Sequence, residues 1–377
     1  MTTPVAAAPP DPAAPLAHVA AIPPYPPGRP IDAVAREFGL NPFTIVKLAS
    51  NENPRGCSLA VQQALQSFAP HLYPDFDCYE LRHAIARQER LAPAQVLPAA
   101  GSSEIILLAA RAYLDASRAA LIPQYAFQSY EGAVKSVGAE AIFVPARNWA
   151  PDLDALLAAV TERVRLVYLA TPNNPTGVGI APDQLEQFVA SLPAHVLLVL
   201  DEAYREYLDP AMRPDVLRLL SRRPQLVVMR TFSKIHGLAG LRVGYGLGDA
   251  AILDLLRRLQ LPFSVSSIGQ HAALAALADA DFAEQSRQTN ASERDRMASA
   301  FAARDVEFVP SSGNFILTNV GDGNATAREL MRRGVIVRPV GNYGLPAWLR
   351  VSVGLPHEND RFFACLDELR GAAAMKS

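Results

Sequence analysis

The chain has 377 residues, 50% of them hydrophobic and 19% charged, and a formal net charge of −2. That length exceeds one ordinary core and suits two lobes of a soluble enzyme. A charge this close to neutral gives no ground for a nucleic-acid or anionic-membrane partner, and no apolar run reaches the roughly 18 residues needed to span a bilayer.

The first stretch, MTTPVAAAPPDPAAPLAHVAAIPPYPPGRP, has no basic start and no continuous apolar run, so it does not read as a secretory signal. Its Ala/Pro content cannot build a packed element alone. It reads as a loose tail whose end, around Tyr25, is an arm lying on another surface. Downstream, QVLPAA leads into GSSEIILLAARAYL, Gly101–Leu114. GSSE before an apolar helical pattern is an N-cap signature; the same helix start is also a seat for phosphate, with Ser102 and Ser103 as extra donors. AALIPQY and AIFVP read as two strands, and YAFQSYEGA between them carries Phe127 and Tyr130. Those rings suit core packing, and a ring stacker would look the same.

Three apolar runs follow, RVRLVYLAT, AHVLLVLDEAY and PQLVVMRTFSK. Runs of this kind suit strands buried on both faces of a parallel sheet. Helical stretches at 182–191 and 214–222 separate them. The fold class is therefore α/β, a mostly parallel sheet with helices on both faces. The last third changes character. A helical stretch at 281–304 leads to VEFVPSSGNFILTNV, GVIVRPV and AWLRVSVG, short strands closed by a helix over 358–370. This predicts a smaller α+β lobe. Cys57, Cys78 and Cys365 are odd in number and far apart, which argues against a disulfide framework. Neither they nor the seven histidines show metal-ligand spacing, and no metal is expected. The reducing cytoplasm is the expected compartment.

In open α/β sheets the ligand lies beyond the carboxyl ends of the strands. The strand ends here carry GSSE, TPNNPTG with Asn174, DEAYREY with Asp201 and Tyr204, and TFSKIHGLAGLRVGY with Ser233, Lys234 and Arg242. Each has a plain reading. NNPTG is a turn, Asp201 caps the turn after its strand, Tyr204 is core, and the lysine stretch is a strand entering a solvated loop. Together they describe one ligand. A lysine for an imine, a carboxylate for a pyridinium, an aromatic wall, a phenol–amide pair for a ring hydroxyl and a phosphate cup are the protein groups that pyridoxal 5′-phosphate requires. Ser233 and Arg242 then flank Lys234 because phosphate and aldehyde belong to one small molecule, and the glycines let the backbone turn between them.

From PYPPGRP to its end the chain resembles the histidinol-phosphate aminotransferase family, within the fold-type I, class I/II pyridoxal-phosphate enzymes. LASNENPRG, LYPD, GSSEII, TPNNPTG, LDEAY, TFSKIHGLAGLRVGY, GNFIL and LRVSVG carry the resemblance. It implies a tail and arm over 1–30, a large cofactor-binding domain over 51–272, and a small domain made of 31–50 with 273–377. It implies that Lys234 binds the cofactor aldehyde and later serves as general base, and that Asp201 meets the ring nitrogen. Asn174 and Tyr204 would hold the ring oxygen, Phe127 would stack on the ring, and Ser102, Ser103, Ser233 and Arg242 would hold the phosphate. It further implies a homodimer with composite sites. Tyr73 would reach the neighbour's cofactor phosphate and Tyr25 its substrate. Asn51, Arg338 and Arg350 would lie at the substrate anion, Arg350 taking both the glutamate carboxylate and the phosphate of histidinol phosphate.

Two positions depart from the family pattern. Ser103 stands where Asp is usual, and FDCYELR follows YPD where Gly is usual. The second lies toward the substrate end, so two relatives stay open beside histidinol-phosphate:2-oxoglutarate transamination. One is an aromatic amino acid aminotransferase. The other is a decarboxylase of a phosphorylated amino acid.

Overall fold

The structure, a computed structural model, describes residues 14–24, 27–66 and 69–374. Tyr25 lies outside the described residues. In chain order the first strands are β1 (Val46–Leu48), β2 (Val96–Ala99), β3 (Ala119–Pro123), β4 (Glu140–Val144), β5 (Ala146–Arg147), β6 (Ala150–Pro151) and β7 (Val164–Ala170). Then come β8 (Leu197–Asp201), β9 (Leu226–Thr231), β10 (Gly244–Gly248), β11 (Phe308–Val309), β12 (Phe315–Asn319), β13 (Val335–Val340) and β14 (Leu345–Ser352).

The larger sheet has the order β2-β10-β9-β8-β7-β3-β4. Strands β9, β8, β7, β3 and β4 are parallel; β10 runs antiparallel to both its neighbours. The continuous apolar runs have the expected cause. Along β7, Val167 and Leu169 enter the core on one face while Leu166 and Tyr168 enter the core on the other. Leu198 and Leu200 of β8 likewise face away from Leu197 and Val199. Helices Ser102–Tyr113, Ser129–Ser136 and Ala250–Arg257 cover one face; Tyr79–Glu89, Pro182–Ser191, Val216–Arg222 and Ser267–Ala278 cover the other.

The smaller sheet has the order β1-β13-β14-β12-β11. Its first strand comes from the other end of the chain, pairing parallel with β13 through Val46 and Val335. Helix Ala280–Ala302 and helix Pro356–Ala374 pack on it through Met297, Phe301, Phe362 and Phe363. Loop 49–58 runs from β1 to the large lobe, so the cleft between the lobes is lined by both.

Two local expectations change. Ser102 and Ser103 do not cap their helix; the cap is Gly101, at φ 77°, and both serines lie in the first turn. Backbone–side-chain closure comes from Glu104, whose Oε2 accepts from the Ala100 N–H at 2.6 Å. The glycines after Lys234 are not all turn residues either. Gly237 is, at φ 71°, but Gly244, Gly246 and Gly248 form β10. A Cβ at Gly244 would lie 2.6 Å from the Ser102 nitrogen and 2.8 Å from the Arg230 oxygen, so this strand is glycine-rich because neighbouring backbone is in contact with it.

Candidate active site

One cavity of about 420 Å³ opens where β7, β8 and β9 end, between the two lobes. Ser102, Ser103, Phe127, Asn174, Asp201, Tyr204, Ser233, Lys234 and Arg242 line it from the large lobe. Asn51, Arg338 and Arg350 line it from the other side. Twelve of the fourteen side chains to which the resemblance gives a site role therefore meet in one space, and Tyr130 lines it with them.

The lysine sits at the centre of the charge pattern. Lys234 follows β9 by three residues, and its Nζ donates to the Ser50 carbonyl at 3.1 Å. Burial, with Arg350 and Arg242 nearby, lowers its pKa from 10.5 to about 8, against the opposing pull of Glu52 and Asp201. Such an amine has a larger neutral, nucleophilic fraction than an exposed one.

Asp201 is the last residue of β8 and is buried. Its Oδ1 accepts from the Ala203 N–H at 2.9 Å and its Oδ2 from the Tyr130 hydroxyl at 2.6 Å. Burial raises its pKa from 3.8 to about 6, while those two donors and Lys234 pull it down. A buried carboxylate without a countercharge in contact is costly, and a cationic partner in the cavity would relieve it.

The anion cup forms where the helix Ser102–Tyr113 begins. Arg242, itself at φ 55°, reaches Ser233 Oγ with Nη1 at 3.4 Å and the Ala239 carbonyl at 3.1 Å. A Cβ at Gly101 would lie 2.7 Å from Arg242 Nη2. Glycine there lets the guanidinium close on the helix N-terminus, where backbone N–H groups and a cation converge, as a phosphate seat requires.

The opposite wall is built across strands. Arg338 on β13 and Arg350 on β14 are direct cross-strand partners. Like charges so placed repel each other, and an anion held between them would ease that repulsion. Arg350 donates to Asn174 Oδ1 through Nη1 and to the Ala49 carbonyl through Nη2, both at 2.7 Å. Asn51, at φ 54°, donates from Nδ2 to the Tyr204 hydroxyl at 2.9 Å. Its N–H donates to Ser352 Oγ, and that hydroxyl donates back to Asn51 Oδ1, each at 2.9 Å. Asn51 thus ties the large lobe to β14 as well as lining the cavity. Burial raises the Tyr204 phenol to about 12, so it keeps its proton.

The family model of aminotransferase class I and II matches residues 44–364. The chain belongs to this aminotransferase family.

Among similar aminotransferases, histidinol-phosphate aminotransferase 2 of Ralstonia nicotianae is 47% identical over 363 residues, covering 95% of this chain and 96% of the relative. Histidinol-phosphate aminotransferase 1 of Thiobacillus denitrificans is 48% identical over 360 residues, with 94% and 93% covered. The crystal structure of histidinol-phosphate aminotransferase from Sinorhizobium meliloti in complex with pyridoxal-5′-phosphate superimposes with a TM-score of 0.87 at 29% identity, covering 95% of this chain and 97% of that one. The fold is accordingly that of the fold-type I enzymes named from the motifs.

For an aminotransferase the donor set fits pyridoxal phosphate on chemical grounds. A nucleophilic lysine, a carboxylate needing a cation, an aromatic wall in Phe127 and an anion cup share one cavity of suitable size. Tyr73 is apart from it: it is 83% exposed and stacks on Phe263 at 4.8 Å. Tyr130 was the residue whose role sequence reasoning left as core. Its spacing from Phe127 gives a helical turn, but only the fold brings its hydroxyl to Asp201.

Proposed function

We propose that this aminotransferase exchanges the amino group of histidinol phosphate with 2-oxoglutarate, a step of histidine biosynthesis, using pyridoxal 5′-phosphate. The observation that carries the reading is the Arg338–Arg350 pair, two guanidinium groups on adjacent strands lining the Lys234 cavity. A planar guanidinium suits the glutamate carboxylate and the phosphate of histidinol phosphate equally, and a second one suits the dianion. The relatives' names point to the same substrate.

When bound, the cofactor supplies an electron-withdrawing ring that acidifies the substrate Cα–H. The residues divide the remaining work. Lys234 would hold the cofactor through its aldehyde, and its Nζ would serve as the base toward the substrate Cα proton. Asp201 would accept from the ring nitrogen, Asn174 and Tyr204 would hold the ring oxygen, and Phe127 would cover the ring. Ser102, Ser103, Ser233 and Arg242 would hold the phosphate. Arg350, Arg338 and Asn51 orient the substrate anion. We assign these roles to two lobes, 51–272 and 31–50 with 273–377, with 1–30 as tail and arm.

Single-turnover absorbance with histidinol phosphate, phenylalanine and phosphothreonine tests the reading. Conversion of the bound cofactor to pyridoxamine phosphate by histidinol phosphate is the expected result. Faster conversion by phenylalanine would assign the aromatic activity instead. Carbon dioxide release from phosphothreonine would assign the decarboxylase. Rapid mixing of cofactor with cofactor-free protein gives a further check. Only the neutral lysine attacks, so the capture rate should rise with pH through about 8, not through 10.5. A rate still climbing tenfold per unit above pH 9 would remove the lowered Lys234 pKa from the account.

The working unit is a cytoplasmic homodimer. Among the described residues no helix is long and apolar enough to cross a membrane. Leu72, Tyr73, Phe76, Leu261 and Phe263 form an exposed apolar edge, as a subunit interface does. If Tyr73 reaches the neighbour's phosphate, Tyr73→Phe should weaken cofactor retention by about 1.5–3 kcal/mol. Mixing Lys234→Ala subunits with Tyr73→Phe subunits should restore some complete sites. Sedimentation as a monomer at working concentration would defeat this arrangement.

A further inference from the structure

Among the described residues each oxygen of the Asp201 carboxylate has one protein donor, Ala203 N–H on Oδ1 and the Tyr130 hydroxyl on Oδ2. A carboxylate offers about four lone-pair sites, so both oxygens keep room for another donor. The two donors differ in kind. Ala203 is a chain neighbour closing a turn. Tyr130 comes from helix Ser129–Ser136, on another element altogether.

Tyr130 is fixed on both sides. It is fully buried, and its ring lies flat on Tyr168, 4.8 Å away at 4°. Tyr168 in turn donates its hydroxyl to the Ile106 carbonyl at 2.7 Å. Phe127 stands edge-on to Tyr130 at 5.8 Å and 88°. One side chain therefore touches the carboxylate at the strand end and the ring that lines the cavity. A core tyrosine needs only some acceptor for its hydroxyl, and Tyr168 meets that need with a backbone carbonyl. Tyr130 instead meets an acid at 2.6 Å, within the range of charge-assisted bonds.

We propose that Tyr130 is a positioning residue for transamination: its hydroxyl keeps Asp201 ionised and fixed in orientation as the acceptor for the cofactor's ring nitrogen. The proposal rests on the pyridoxal phosphate reading above. The groups facing Asp201 are Tyr130 from its helix, Tyr204 and Glu202 from the turn after β8, and Lys234 from the turn after β9. Burial raises the Asp201 pKa, Glu202 adds to that, and Tyr130 leads the groups that oppose it. Burial and Asp201 together push the Tyr130 phenol well above its ordinary value, so it remains a donor at any working pH. Removing the hydroxyl makes Asp201 hold a proton more tightly, and the proton shared with the ring nitrogen shifts toward the carboxylate.

The experiment uses pyridoxal phosphate labelled with nitrogen-15 in its ring, loaded into the full-length enzyme. In the parent the nitrogen resonance should report a protonated ring. In Tyr130→Phe it should move toward the unprotonated position, equivalent to a rise in Asp201 proton affinity of about one to two pH units. Replacing Tyr130 with 3,5-difluorotyrosine keeps the shape and strengthens the donor, so the resonance should move the opposite way. Tyr168→Phe removes the bond to Ile106 but leaves the Tyr130 hydroxyl, and should leave the resonance in place. An unmoved resonance in Tyr130→Phe, or an equal displacement in Tyr168→Phe, overturns the proposal alone. A parent that takes up no cofactor overturns the reading beneath it, and the proposal with it.

Discussion

Lys234→Ala should abolish the lysine-bound cofactor absorbance and lower turnover by about four orders of magnitude, because the proposed mechanism asks one amine for both the covalent link and the proton transfer at Cα. The chain has four lysines, Lys47, Lys135, Lys234 and Lys376, which makes the assignment easy to check. Lys47 is paired with Glu52 and Lys135 with Glu131, each at 2.6 Å. Borohydride reduction and peptide mapping of the loaded parent should label Lys234; label on another lysine would refute the assignment. The loss should not come from unfolding. A lysine whose pKa is lowered on folding binds its proton less well in the native state, so at pH 7 its charge opposes folding. That penalty is full below about 8 and fades as pH rises toward 10.5. Cofactor-free Lys234→Ala should therefore melt at or above the cofactor-free parent in neutral buffer.

What could be read from the sequence was what local pattern determines. Strands β7, β8 and β9 announced themselves because both their faces are buried, which forces unbroken apolar runs. The polar residues at their ends stood out against those runs, so Asp201, Asn174 and Lys234 could be named before any coordinates. Strand β10 was hidden because its requirement is for absence of side chains. Gly244 must let Ser102 and Arg230 backbone approach, and Gly246 sits 3.2 Å from Ile105 Cδ1 by its would-be Cβ. In sequence that looks like a turn. The ties made by Tyr130 and Asn51 were hidden for another reason. Their partners lie 71 and 301 residues away, at Asp201 and Ser352, and no spacing rule connects such positions. Tyr73 was legible only as family resemblance, since in a single chain its ring stacks on Phe263 and does not line the cavity.

Arg350→Ala should depress both half-reactions, with glutamate and with histidinol phosphate, by about two or more orders of magnitude in kcat/KM. Two losses add in the same direction. The substrate anion would lie buried without its countercharge, which typically costs several kcal/mol. In addition, Asn174 Oδ1 and the Ala49 carbonyl would each lose a donor now at 2.7 Å, so the amide expected at the ring oxygen would be free to turn. Arg350→Lys should recover only part of the activity. A point charge can meet the anion, but it cannot hold Asn174, Ala49 and the substrate at once as the planar fork does. Arg338→Ala separates the substrates. Arg350, its partner across the β13–β14 ladder, would on this reading still bind a monoanion, while a phosphate dianion would lose half of its countercharge. The histidinol phosphate half-reaction should then fall further than the glutamate one, by about tenfold, the value of roughly one charge-assisted bond. Equal losses for both substrates in Arg338→Ala would count against histidinol phosphate as the donor and favour an aromatic amino acid, whose carboxylate Arg350 alone can hold.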